Sequence, residues 1–217
     1  MDGLRPPKTQ PMRLMLLWLL LWPAAALCAD IEFGANFVIN DPLDRPLPKL
    51  SMGYGTGFQI AVSPMLKWGL AIGIYTTRHD LEGGVLGNRI VQVDSRRYII
   101  YVQGQYRVLR LSIYELEATA AAVYDNINGG DSTGSYLVQQ FDPEEIGYSG
   151  WGANGGINIK RAIQAGYLFN LGLKYNVITY STHQVAGLKY TGAEHRRRAN
   201  SLVFYIGVAY RVNFDRF

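Results

Sequence analysis

Ser181, His183, Glu194 and His195 lie within one stretch, "STHQVAGLKYTGAEHRRRA", and supply the residue types of a nucleophile, a base and an orienting acid. Such a set hydrolyses an ester or amide only if the groups meet in space, which linear spacing does not establish. Metal chemistry has thinner support. Cys28 is the only cysteine, so a chain beginning after residue 29 offers neither a zinc-cysteine site nor a disulfide framework. No metal or cofactor is expected. A second group of candidates is Glu32, Glu115 and Glu117 with Arg97, Arg107, Lys174 and Arg211, accompanied by Gln103, Gln105, Asn158 and Asn170. Enclosed together, these charges would be costly unless they formed ion pairs and hydrogen bonds. A third group, Arg78, Arg89, Arg96, Arg196, Arg197 and Arg198, offers guanidinium forks whose geometry matches phosphate.

What these groups can do depends on the elements that carry them. "SLVFYIGVAYRVNF" places Phe204, Ile206, Val208, Tyr210, Val212 and Phe214 at every second position, the period of a β-strand with one apolar face. The same alternation predicts eight strands, at about 31–39, 50–62, 66–78, 95–107, 110–125, 149–160, 164–179 and 200–214. Amphipathic helical spacing has no comparable strength anywhere. Connections alternate in length. "SPM", "VLR" and "RAIQ" are short, whereas "HDLEGGVLGN", "NINGGDSTGSYLVQQFDPEEIGYS" and the stretch after the seventh strand are long.

The two faces differ in volume. One collects Phe33, Phe37, Tyr54, Phe58, Ile60, Trp68, Ile72, Ile74, Ile100, Trp151, Tyr167, Leu173 and their like. The other holds Gly34, Gly57, Gly73, Gly156, Gly172 and Gly207 among Asn36, Gln59, Asn154, Asn176 and the charged residues named above. A barrel of eight strands has an interior just wide enough to be filled by side chains. The small and polar face therefore lines the lumen, and the bulky face must lie outside, in hydrocarbon, where a closed barrel leaves no backbone group unpaired. A secreted lipocalin-like or sandwich β-protein with the apolar face inward is the rival reading.

The pattern resembles the small eight-strand bacterial outer-membrane β-barrels, the class that contains the OmpA membrane domain and OmpX. The resemblance runs from about Ala29 to the end and includes "YIGVAYRVNF", similar to the signal such proteins present to the barrel-assembly machinery, with Gly207, Tyr210, Val212 and Phe214 in the matching places. "DRF" follows Phe214, so either Phe214 or Phe217 is the terminal aromatic. The resemblance implies an all-β, antiparallel, up-and-down transmembrane barrel, integral to the outer membrane, with short periplasmic turns and long extracellular loops.

"MRLMLLWLLLWPAAALCA" has the basic, apolar and small-residue regions of a secretory signal, giving a signal peptide over 1–29, with Met12 as an alternative start, and a barrel over 30–217. Leu27 before Cys28 is unlike the small residue of a lipoprotein site. The net charge of +4 is modest and the basic residues are scattered, so nucleic acid is not an expected partner. The expected partners are outer-membrane lipid and lipopolysaccharide, met by the arginines at the long-loop end, and the barrel-assembly machinery; the protein is expected to be a monomer.

Within the barrel, Glu32, Glu115 and Glu117 should face Lys174, Arg97, Arg107 and Arg211, with Glu32 and Arg211 pairing across the closing seam. The loop after the fifth strand carries Asp125, Asp131, Asp142, Glu144 and Glu145, and the last loop carries Lys189, His195 and Arg196 to Arg198. Loop-to-loop docking, phosphate binding and a solvated charged rim all fit that contrast. Outward Trp68, Tyr106, Tyr114, Tyr167 and Tyr210 near the short turns, and Tyr54, Tyr98, Tyr124 and Trp151 near the loops, fit two interfacial girdles or ordinary β-propensity. The expected role is structural or surface-interacting, with a plugged polar lumen; a narrow pore and a lipid A-modifying hydrolase are the alternatives. Barrel deacylases of lipid A carry a His-x-Ser-Asn motif, which this chain lacks, so it is not expected to be an enzyme.

Overall fold

The computed structural model describes residues 30–43, 51–63, 67–86, 89–129, 147–185, 188–191 and 196–213. Those residues fold as nine antiparallel strands: β1 (Asp30–Pro42), β2 (Gly53–Ser63), β3 (Trp68–Leu86), β4 (Arg89–Leu111), β5 (Tyr114–Gly129), β6 (Gly147–Gln164), β7 (Tyr167–Val185), β8 (Leu188–Thr191) and β9 (Arg197–Asn213). Each long strand pairs with its neighbour in sequence, β7 pairs with β9, and β9 pairs back with β1. Eight strands thus close into an up-and-down barrel. The short β8 stands outside the ring, paired only with the end of β7. Among the described residues no helix is long and apolar enough to cross a membrane; the crossing elements are strands.

Alternation places the faces as the side-chain volumes require. Phe58 is 61% exposed, Ile72 57% and Trp151 67%, while Glu32 and Lys160 on the opposite face are 1% exposed. A soluble β-protein would turn these faces the other way, because burying apolar area is its main source of stability. Here the exposed apolar belt is continuous around the ring, and the enclosed side is rich in Asn, Gln, Glu, Lys and Arg.

Two departures from the alternation reading concern turns. "VLR" reads as the connection between the fourth and fifth strands, but Val108 to Leu111 extend β4, a bulge between Arg107 and Leu109 resets the register, and the turn is Ser112–Ile113. "RAIQ" likewise belongs to β6, again with a bulge, and the turn is Ala165–Gly166, with Gly166 at φ 82°, a conformation glycine adopts without steric cost. A bulge inserts one residue and shifts the alternation, so a period-two reading ends a strand where the chain in fact continues. Beyond the membrane the strands also run on: "HDLEGGVLGN" is mostly strand, with Leu86 and Arg89 still paired.

Candidate functional site

The enclosed side chains fall into two groups along the barrel axis. The first lies near the short turns. Glu32 on β1 and Arg211 on β9 are directly paired residues across the closing seam, and Arg211 Nη2 sits 2.6 Å from Glu32 Oε1. The same guanidinium crosses the lumen to β5, where Nη1 and Nη2 donate to the two oxygens of Glu115 at 3.1 and 2.7 Å. Arg107 Nη2 lies 3.3 Å from Glu115 as well. Lys160 on β6 completes the group, with Nζ 2.6 Å from Glu32 Oε2 and 2.9 Å from Glu117 Oε1, and Asn158 Nδ2 donates to Glu117 at 3.2 Å. Charge-assisted bonds of this kind are the strong ones, and the enclosed setting makes each partner depend on the others.

The second group lies toward the long-loop end. Arg97 Nη2 donates to Asp125 Oδ2 at 2.6 Å, and the Tyr180 hydroxyl donates to the same oxygen at 2.7 Å. Asn176 Nδ2 donates to the Tyr75 hydroxyl and to Ser201 Oγ, each at 3.2 Å. His79 Nδ1 donates to the Ser51 carbonyl at 2.8 Å, which leaves Nε2 to accept from the Thr77 hydroxyl at 2.7 Å. Between the groups stand Tyr101 and Tyr205, whose rings lie over their paired residues Gly73 and Gly172 respectively; a Cβ on either glycine would collide with the ring opposite it.

The sequence-derived candidates are therefore divided. Glu32, Glu115, Glu117, Arg107, Arg211 and Asn158 come together as one network. Arg97 does not join it, because its partner is Asp125, which is fully buried on β5 and not a loop residue. Lys174 does not join it either: its Nζ lies over the rings of Tyr101 and Tyr205, at 4.1 and 5.0 Å from their centroids. The cation expected of Lys174 is supplied by Lys160. The alternation that puts Asn158 inside puts Lys160 there too, a signal the strand reading overlooks. Gln103, Gln105 and Asn170 are buried in the lumen, with Gln103 Oε1 and both amide atoms of Gln105 and Asn170 lacking partners among the described residues. A lumen lined only by small and polar groups is also corrected: Tyr75, Tyr101, Tyr148, Tyr180 and Tyr205 point inward with Ile99, Val123 and Ile178.

Outside, Trp68 packs on Tyr106 and Tyr167 on Tyr210 near the short turns, with ring centroids 4.7 and 5.0 Å apart, and Tyr124 packs on Trp151 at 4.9 Å toward the other end. Arg78 and Arg96 are exposed and directly paired. Arg198 is exposed on β9, three strands away around the ring, so the arginines make two clusters. Arg196 and Arg197 are exposed at the rim. Arg89 opens β4, opposite Leu86. Gly207, Tyr210 and Val212 lie in β9, paired with Asn36, Phe33 and Ile31 of β1. Ser181 is exposed at the bulge of β7, and His183 is paired with Tyr148. Phe214, Phe217, Glu194, His195, Asp131, Asp142, Glu144, Glu145, Cys28 and the signal segment lie outside the described residues.

No protein-family model matches the sequence, and no curated protein matches it. The architecture, by contrast, recurs among solved structures. The outer membrane protein OprG from Pseudomonas aeruginosa superposes with a TM-score of 0.60 at 14% identity, over 86% of this chain and 97% of that one. The fold is that of a small bacterial outer-membrane β-barrel. A major outer membrane protein from Thermus thermophilus gives 0.57 at 12% identity, over 85% and 99% of the two chains. The outer membrane protein AlkL, solved in lipid bilayers, gives 0.54 at 13%, over 98% and 97%. With so little sequence in common, what the barrels share is the fold.

Proposed function

We propose that the protein is an integral outer-membrane barrel whose lumen is closed by its own side chains and whose interactions are made at the long-loop end. The observation that carries this reading is the charged chain across the lumen: Lys160 joins Glu117 to Glu32, and Arg211 joins Glu32 to Glu115. A hydrated ion could pass only by breaking several charge-assisted bonds in an enclosed setting, where a stranded charge is expensive. This favours a plugged barrel over a narrow pore. In planar bilayers the purified protein should show no single-channel steps; regular steps would contradict closure and favour the pore.

Contact with lipopolysaccharide is the interaction that the exterior supports best. Arg78 and Arg96 are directly opposite each other, and like charges in that position repel. A phosphate shared between the two forks would relieve the repulsion. Replacing both with Gln should weaken binding to vesicles containing lipopolysaccharide and leave partition into phosphatidylcholine vesicles unchanged; an equal loss in both would contradict the role. The protein is read as a monomer without catalytic activity, and as entering the membrane through the barrel-assembly machinery by a signal formed from Gly207, Tyr210, Val212 and Phe214. A shift in lipid A mass on expression would overturn the non-enzymatic reading.

A further inference from the structure

Arg161 is a cation on the lipid side of the barrel wall. Lys160 points into the lumen, so its neighbour along β6 points out, and Arg161 is exposed. Its directly paired residues are Tyr114 on β5 and Phe169 on β7, while the exposed Ile159 and Ile163 lie two positions to either side of it along β6. All four are apolar or aromatic. The acids of this end, Glu32, Glu115 and Glu117, are buried on the lumen side and engaged by Lys160, Arg211 and Arg107. Arg110, exposed at the same end, still reaches Glu115 at 3.5 Å. Arg161 has no carboxylate partner among the described residues.

What it has is a ring. The guanidinium carbon of Arg161 lies 5.7 Å from the centroid of Tyr114, a contact that attracts the cation through the ring quadrupole. A ring face supplies no oxygen, and a guanidinium carries five N–H donors and cannot shed its charge. The level at which it sits narrows the choice of acceptor. Tyr114 belongs to the outward aromatic set near the short turns, with Trp68, Tyr106, Tyr167 and Tyr210, and such girdles stand at the headgroup region of a bilayer. From Arg161 toward the middle of the wall, Ile159 and Ile157 continue the apolar belt, 39% and 50% exposed. The molecule that covers this surface is therefore a lipid, with its chains on the belt and its headgroup at Arg161.

We propose that this part of the exterior is a binding site for one anionic glycerophospholipid, its phosphodiester held by Arg161 on the Tyr114 ring and its chains laid along Ile159 and Ile157. Phosphodiester oxygens match the guanidinium fork. Phosphatidylcholine brings an ammonium of its own to the same phosphate, whereas phosphatidylglycerol leaves that charge for the protein to meet. The site lies at the opposite end of the barrel from the arginines read above as lipopolysaccharide contacts. Only its assignment to the periplasmic leaflet rests on that orientation, so the site stands or falls separately from the lipopolysaccharide reading.

The test is native mass spectrometry of the folded protein in detergent, titrated with phosphatidylglycerol or phosphatidylcholine. The first phosphatidylglycerol adduct of the wild type should form about tenfold more tightly than the first phosphatidylcholine adduct, a difference of about 1.4 kcal/mol. Arg161→Gln should lose that preference, and Arg110→Ala, which removes an equal charge from the same end, should keep it. Both side chains are exposed, and an unchanged heat-dependent gel shift checks that each variant is folded. Phosphatidylglycerol carrying a photoreactive headgroup should label wild-type peptides containing Tyr114 or Arg161, a readout that needs no variant. No preference in the wild type, a preference retained in Arg161→Gln, an equal loss in Arg110→Ala, or labelling confined to the long-loop end would each overturn the site.

Discussion

Lys160 and Lys174 are both enclosed by the same barrel, yet they are held in opposite ways. Lys160 lies between two carboxylates at 2.6 and 2.9 Å, and Lys174 lies between two aromatic rings with no acid among the described residues in reach. The difference follows the axis of the lumen. Near the short turns the chain uses charged residues, and its strands are tied by a network in which Arg211 and Lys160 each touch both β1 and β5. Toward the loops it fills the same bore with tyrosines laid over glycines, plus one separate ion pair, Arg97 with Asp125. Charge closes one half and volume closes the other. The lesson is that a lumen can be filled without a pore by two kinds of packing whose failures differ: a broken ion pair strands a charge, whereas a shortened ring leaves a hole.

The largest effect should come from the charged half. Lys160→Met strands Glu117 and half of Glu32, and should cost about 3–5 kcal/mol in urea unfolding within vesicles, the usual penalty for breaking a buried pair by removing one partner. A cost under about 1 kcal/mol, the scale of an exposed pair, would mean that water enters this half and would erase the contrast. Next is the exterior, which both halves share. Ile72→Arg puts a charge against lipid and should cost about 2–4 kcal/mol near the bilayer midplane; no cost would place Ile72 out of the hydrocarbon. In the volume-filled half, Tyr180→Phe keeps the ring and removes only the hydroxyl that donates to Asp125 at 2.7 Å. It should cost about 1–3 kcal/mol, because a buried acceptor loses a bond. The smallest effect belongs to Arg110, whose side chain is 58% exposed beside Glu115 at 3.5 Å. Arg110→Ala should stay below about 1 kcal/mol, as exposed pairs do.

Much of this was legible because alternation is a strong signal in strands that must present one face to lipid. All eight ring strands and the outward set from Phe33 to Tyr210 could be read from period two alone. The pairing of Glu32 with Arg211 was also readable, since the first and last strands of a closed ring must be neighbours. Three things were hidden. Bulges after Arg107 and Ala162 displaced the turns, and nothing in "VLR" or "RAIQ" marks an inserted residue. Tyrosine occurs on both faces, so assigning bulk to the outside hid Tyr75, Tyr101, Tyr180 and Tyr205; only the register shows that Gly73 and Gly172 lie directly opposite two of those rings and leave them space. Asp125 reads as a loop residue in the sequence because β5 runs on to Gly129, past the point where the apolar alternation weakens. Which cation meets which acid depends on heights along the axis, which the alternation of single strands does not contain.

The central claim is that the bulky side of every strand faces hydrocarbon while the ionic and tyrosine-rich side is enclosed. From Asp30 onward the chain contains two tryptophans, Trp68 and Trp151, and both are outward, 58% and 67% exposed. Tryptophan fluorescence of the protein reconstituted from Asp30 onward should therefore be quenched strongly when the vesicles are made from lipids brominated along their acyl chains. It should respond weakly to iodide in the water. Emission unaffected by brominated lipid, or quenched mainly by iodide, would contradict the account.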